Sequence, residues 1–179
     1  MGSFVAIDFE TANEDSDSAC AVAVAAGRDG RLVGSWSSRI RPPTAQFTFT
    51  YVHKLTWEDV RAAPAFDEIW PTLRRWLNDA DFVAAHHAPF DSRVLAACCR
   101  RYGLPPPAVP FQCTVQLARR QWNIHPTKLP DVCRRLGIPL RHHVVESDAE
   151  ACARIVLAAE AAGWRWSESD HGLQVEEIG

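Results

Sequence analysis

The sequence predicts an α/β domain built on a mixed sheet, and its layout predicts it in three ways. Strand-like apolar runs occupy the start of the chain, segments with helical spacing follow, and one short apolar run sits between two of those helical segments. Phe4 to Phe9, Ala19 to Ala26 and Arg31 to Arg41 read as the first three strands. Gly27-Arg28-Asp29-Gly30 lies between the last two, which predicts a hairpin, and Pro42-Pro43 closes the third strand.

The helical part begins with Phe66, Ile69, Trp70, Leu73, Trp76 and Leu77, which recur on one stripe. Pro71 lies within that stripe, so the helix is expected either to kink there or to begin later. Asp81 to Ala85 reads as a short buried strand, and Pro89 suits the first position of a helix carrying Phe90, Val94, Leu95 and Cys98 on one side. Tyr102 to Pro110 is a proline-rich connection; Leu129, Val132, Cys133 and Leu136 mark a short helix ended by Gly137. Ser147-Asp148-Ala149-Glu150 matches a capping box, with Ser147 as N-cap of a last helix whose apolar face is Cys152, Ile155, Val156 and Ala159.

Length and composition set the bounds. The 179 residues suit one domain, with 47% hydrophobic and 23% charged residues. No apolar run approaches the roughly 20 residues that span a bilayer, which predicts no membrane partner. The N-terminus carries no basic stretch ahead of a long apolar one, so no secretory signal is expected and a cytoplasmic location is. Cys20, Cys98, Cys99, Cys113, Cys133 and Cys152 show no C-x-x-C pair and are expected to be reduced core thiols. A net charge of −3 argues against a module that coats duplex backbone by charge alone. It leaves room for an enzyme that holds a few nucleotides beside bound cations.

Candidate chemistry lies in carboxylates. On an alternating strand Phe4, Ala6, Asp8 and Glu10 share one face and Val5, Ile7 and Phe9 the other. Two acids therefore project side by side from the end of a strand built for burial, although such a pair alone also describes a solvated strand end. Asp91 stands three and four residues before Val94 and Leu95 on its helix and leans toward the core. Asp148 opens the last helix, five residues after His143. Gathered carboxylates disfavour one another's ionisation, and divalent cations reverse that sign. Hard cations take oxygen ligands, a pair of them can clamp a phosphodiester, and histidine suits a general base near neutral pH.

Three ordered segments carry a resemblance. Phe4-Val5-Ala6-Ile7-Asp8-Phe9-Glu10-Thr11, Val83-Ala84-Ala85-His86-His87-Ala88-Pro89-Phe90-Asp91 and His143-Val144-Val145-Glu146-Ser147-Asp148-Ala149 resemble the motifs of the DEDDh exonuclease family. That family contains the epsilon proofreading subunit of bacterial DNA polymerase III, and oligoribonuclease is a more distant relative. Val52-His53-Lys54-Leu55-Thr56 resembles the segment that meets the substrate end. The resemblance spans about residues 3 to 160.

It implies a ribonuclease H-like fold, a five-stranded mixed sheet flanked by helices, with an exonuclease domain over 1–165 and a polar tail over 166–179. It implies two Mg²⁺ or Mn²⁺ ions held by Asp8, Glu10 and Asp148, with Asp91 contributing directly or through water, and His143 as general base. Thr11, with the backbone around Phe9, would face the terminal nucleotide, and His53 and Leu55 its base or sugar. The implied activity is 3′→5′ hydrolysis of single-stranded DNA or RNA ends to nucleoside 5′-monophosphates, with a DNA polymerase as a candidate partner. The competing expectations are a noncatalytic binding or polymerase-accessory module and an enzyme directed at short RNA. His87 stands where the family usually has asparagine, a substrate or backbone contact, and Lys54 where it usually has glycine. His125 and His142 take no role from the resemblance.

Overall fold

The computed structural model describes residues 2–167. Three strands open it: β1 (Ser3–Thr11), β2 (Ala19–Arg28) and β3 (Arg31–Arg39). Two single-turn helices follow, α1 (Thr50–His53) and α2 (Trp57–Val60), then α3 (Phe66–Asn78), β4 (Phe82–Ala85) and α4 (Ala88–Arg101). The chain continues with β5 (Phe111–Cys113), α5 (Thr114–Trp122), α6 (Leu129–Leu136) and α7 (Val145–Ala161). The strand order is β3-β2-β1-β4-β5, antiparallel through β1 and parallel from β1 to β5, so the sheet is five-stranded and mixed as expected.

Alternation along β1 sorts the core into two layers. Val5, Ile7 and Phe9 pack with Phe66, Trp70 and Leu73 of α3 and with Val94 and Leu95 of α4. Phe4 and Ala6 pack on the other face with Cys152, Ala153 and Val156 of α7. α6 reaches the core through α7, where Leu129, Val132 and Cys133 meet Ala151 and Ile155. All six cysteines are buried free thiols. Among the described residues no helix is long and apolar enough to cross a membrane.

Several local expectations change. The hairpin turn is the two-residue Asp29-Gly30, both at positive φ (52° and 77°), and β2 runs on through Gly27 and Arg28. That geometry matches the twist of the flanking strands. α3 begins at Phe66 with Pro71 inside it, so the helix does not start later. Phe90 leaves the buried side of α4 and is 36% exposed. The capping box at Ser147 does not form. α7 starts at Val145 with Val144 as N-cap, because the Ser147 hydroxyl accepts the Arg141 amide (2.8 Å) and Glu150 pairs with Arg154 one turn on. β5 and α5 were not expected from residue patterning, and three residues of strand are too few to show a period. Of the expected tail, Trp166 stacks on Phe82 (centroids 5.4 Å), and positions 168–179 lie outside the described residues.

Phe82 stacks in turn on Phe4 (5.4 Å), whose ring lies over Gly27, its partner across the β1–β2 ladder. A Cβ at Gly27 would overlap that ring. Gly27→Ala should therefore destabilise the fold by about 1–3 kcal/mol, the usual cost of overpacking. A lowered urea midpoint would show it, and an unchanged midpoint would mean the Phe4 ring has room to move.

Candidate active site

β1 delivers two carboxylates because its polar end prolongs a buried strand. Asp8 and Glu10 point to the same face as Phe4 and Ala6, toward α7. Across the ladder they are paired with Ala23 and Ala21. Those two alanines pack directly against Val145 and Ala149. Small side chains on both surfaces let the first turn of α7 settle close to the sheet, and Asp148 is on that turn. The carboxylate oxygens of Asp8, Glu10 and Asp148 consequently lie within 4.8 Å of one another.

Asp91 supports the group from behind. At 2% exposure it sits in the first turn of α4, and its Oδ1 accepts the Phe9 amide (3.0 Å). A backbone donor in the strand is thus satisfied by a side chain far away in sequence, which fixes α4 against β1. Phe9 takes part only through this amide, since its ring is buried in the opposite layer.

The electrostatics record the crowding. Burial, then Asp91, Asp148 and Glu10 in that order, raises the Asp8 pKa well above its ordinary value. Burial and Asp148 push Glu10 up to about 7. Asp91 and Asp148 are raised chiefly by burial, against opposing hydrogen bonds from Phe9 and from the His142–His143 segment. Asp148 Oδ2 accepts both the His143 amide (2.9 Å) and His142 Nδ1 (3.1 Å), while its Oδ1 is buried with no hydrogen-bond partner. A buried, unpartnered carboxylate oxygen costs on the order of 1–3 kcal/mol or more. Three converging carboxylates, one of them with an orphaned oxygen, suit a divalent cation, and the donor set is the all-oxygen one that hard cations prefer.

A cleft of about 210 Å³ opens beside Glu10, lined also by His53, Leu55 and His143. His53 is 6% exposed and locked: Nε2 donates to the Thr11 carbonyl (3.1 Å) and Nδ1 accepts the Leu55 amide (3.1 Å). Thr11 is itself buried, so its carbonyl acts by orienting His53. Lys54 adopts the left-handed conformation (φ 66°) that explains a glycine preference there, and its ammonium donates to the Tyr51 carbonyl. His87, also left-handed (φ 75°), is the exposed N-cap residue of α4 and makes no side-chain cap. On the rim, His143 (φ 67°) stacks on His142 with ring centroids 3.8 Å apart. Burial, with His142 next, lowers the His143 pKa. The bond from His142 to Asp148 was not visible in the sequence, where only the spacing of His143 to Asp148 stood out.

The whole arrangement can be set beside known proteins. The model of the RNase T exonucleases matches residues 5–156. The chain belongs to the RNase T exonuclease family. Solved structures of similar fold include exonuclease X in complex with 5′-overhanging duplex DNA (TM-score 0.75, 21% identity), covering 98% of this chain and 99% of that one. The nuclease domain of 3′hExo, a DEDDh family member bound to rAMP, gives a TM-score of 0.77 at 19% identity over 93% of this chain and 96% of the other. E. coli exonuclease I in complex with a dA16 oligonucleotide gives 0.76 at 14% identity, over 89% of this chain and 40% of that one. These likenesses establish the ribonuclease H-like fold. No curated protein sequence matches the chain. As an RNase T-family exonuclease domain it carries its acids where the matched segment begins and ends, Asp8 and Glu10 near one limit and Asp148 near the other.

The raised carboxyl values have a consequence for stability. The unfolded chain ionises these acids first, so metal-free protein should lose stability as pH climbs from about 4.5 through about 7, the span set by Glu10. At pH 7.5 Asp8→Asn should melt higher than wild type without metal, because it relieves repulsion, and should gain less from added Mn²⁺. Differential scanning fluorimetry reads both. An Asp8→Asn variant that melts lower without metal and responds normally to it would contradict the reading.

Proposed function

We propose that the protein is a divalent-metal-dependent 3′→5′ exonuclease, hydrolysing the terminal phosphodiester of a DNA or RNA strand to release a nucleoside 5′-monophosphate. The observation that carries this is the convergence of the Asp8, Glu10 and Asp148 carboxylates, with one Asp148 oxygen buried and unpartnered and the His143 imidazole on the rim of the adjoining cleft. When bound, a pair of Mg²⁺ or Mn²⁺ ions would neutralise the acids and stabilise charge on the attacking and leaving oxygens. Asp8, Glu10 and Asp148 would be the ligands, Asp8 serving both ions, with Asp91 contributing directly or through water.

The chain's own groups divide the remaining work. His143, with its pKa held below the ordinary histidine value, is neutral near pH 7 and can accept the proton of the attacking water. The small cleft takes the terminal nucleoside against His53 and Leu55, and the Thr11 carbonyl keeps the His53 ring in one orientation. His87, exposed and lining the neighbouring cleft beside Asp8, stands where the family usually has asparagine, so its contact to substrate differs from the family pattern. The catalytic unit is the stretch 1–165. Support for polarity comes from the three motifs and from the similar DEDDh nuclease domain. A DNA complex and an rAMP complex among the similar structures keep both strand chemistries in the proposal. The likeness to the epsilon proofreading subunit rests on the motifs alone, and the exonuclease reading stands without a polymerase.

The test uses 5′-labelled single-stranded DNA and RNA with Mg²⁺, Mn²⁺ or EDTA. A descending ladder that EDTA abolishes is expected. His143→Ala should lower turnover by on the order of 10²–10⁴, and Asp148→Ala should leave almost none. Undiminished activity in Asp148→Ala at matched protein and Mg²⁺ would end the proposal. Strands bound but never shortened with either metal would replace it with a noncatalytic binding module.

A further inference from the structure

The carboxylates border a second cleft, larger than the first at about 440 Å³. Asp8 and Asp148 form part of its wall, and Arg119 and Lys128 form another part. The two clefts differ in chemistry. The smaller one is bounded by Leu55, the locked His53 and a single arginine, Arg39, whose guanidinium donates to the Asp59 carbonyl, whereas the larger one brings two exposed cations beside the acids. Among the described residues neither Arg119 nor Lys128 makes an ion pair. That is notable beside carboxylates, which would be their natural partners were the site merely a solvated surface.

Arg119 is also held. Its Nε donates to Thr127 Oγ1 (2.8 Å), which leaves the two terminal nitrogens of the guanidinium without a protein acceptor among the described residues. The Thr127 carbonyl is fixed in turn by His86 Nε2 (2.9 Å), while His86 Nδ1 faces the Thr114 hydroxyl (2.8 Å). Both ring nitrogens are committed, Nε2 as donor to a carbonyl and Nδ1 to the Thr114 hydroxyl, so the ring is a fixed brace. It ties the end of β4 to the start of α5 and to the loop that enters α6. Lys128 is the next residue on that loop, at the N-cap of α6. The brace therefore orients both cations at once.

We propose, building on the exonuclease reading, that this second cleft carries the sugar–phosphate backbone on the 5′ side of the scissile bond, with Arg119 and Lys128 as its phosphate contacts and Thr127 as a positioning residue for Arg119. With the terminal nucleoside in the small cleft, the rest of the strand leaves across the carboxylates toward the larger one. A net charge of −3 gives the protein no long-range attraction for a polyanion. The grip on the backbone then has to be local, and a fork-shaped guanidinium with free donors beside an ammonium supplies it.

The experiment compares two kinds of substrate. Ten-nucleotide 5′-fluorescein DNA and RNA oligomers carry upstream phosphates, and the p-nitrophenyl ester of thymidine 5′-monophosphate carries none. In the Arg119→Ala, Lys128→Ala double variant KM for the oligomers should rise about tenfold or more, and the slope of log KM against log salt should flatten by about 0.7 per lost phosphate contact. The loss on the ester should be at least about five times smaller, because only the terminal nucleotide is engaged. Arg119→Lys should recover part of the salt slope, and Thr127→Val should raise KM for the oligomers with little change in kcat. Equal losses on ester and oligomer, or an unaltered KM and salt slope, would overturn the assignment. Should the wild type hydrolyse neither substrate, the exonuclease reading falls by itself and fluorescence anisotropy of the same oligomers still decides the cleft. Weaker and less salt-sensitive binding by the double variant supports it, and identical titrations overturn it.

Discussion

Four carboxyl groups from three distant segments are packed into one small volume, and each makes the ionised form of the others harder to hold. Burial adds to the effect, so that Glu10 titrates at about 7 and Asp8, the group most surrounded, stands well above the ordinary range. A fold does not gather like charges without something that rewards the arrangement. Here the compensations visible within the chain are partial: the Phe9 amide on Asp91, and the His142 ring with the His143 amide on one oxygen of Asp148. The other Asp148 oxygen is left over. The remaining imbalance is what a divalent cation would cancel, and the positions of α4 and α7 against β1 can be understood as the scaffolding that maintains it.

That scaffolding works through connectivity as much as through contact. Because β1, β4 and β5 run parallel, the helices that follow β4 and β5 begin at the same edge of the sheet where β1 ends. α4 thereby brings Asp91 behind β1, and α5 starts beside the His86 brace. α7 arrives from the loop at 141–144, whose turn is closed by the Val144 amide on the Arg141 carbonyl. The same loop carries the two stacked histidines, so one short stretch of backbone sets both the last acid and the imidazoles around it.

Much of this was legible in the residues. The alternation of β1 separates Asp8 and Glu10 from Val5, Ile7 and Phe9, and the two core layers follow that division. The i+3 and i+4 offsets of Val94 and Leu95 from Asp91 correctly turned that acid inward. What escaped has local causes. Ser147 carries the right side chain for an N-cap, yet the Arg141 amide claims its hydroxyl and the helix begins earlier. β5 is too short for a pattern, and α5 opens directly from its last residue with no cap or breaker to announce it. The link between His142 and Asp148 depends on the left-handed turn at the following residue, which pattern alone does not reveal. His86 lies within a motif that assigns it no task, because its partners Thr114 and Thr127 lie in segments that no periodicity joins to it.

The alanines of β2 lead to a different kind of conclusion. Ala21 and Ala23 have no reactive atom, yet they set how near the first turn of α7 approaches the strand that bears Asp8 and Glu10. A chain could keep every acid and the imidazole while carrying valine or leucine at these two places, and would still score as intact by its motifs. Its last aspartate would be lifted off the other two by the bulk beneath the helix. Inert look-alikes of this enzyme class can thus arise through steric volume in residues that never meet a substrate, and the floor of the site is where to look for them.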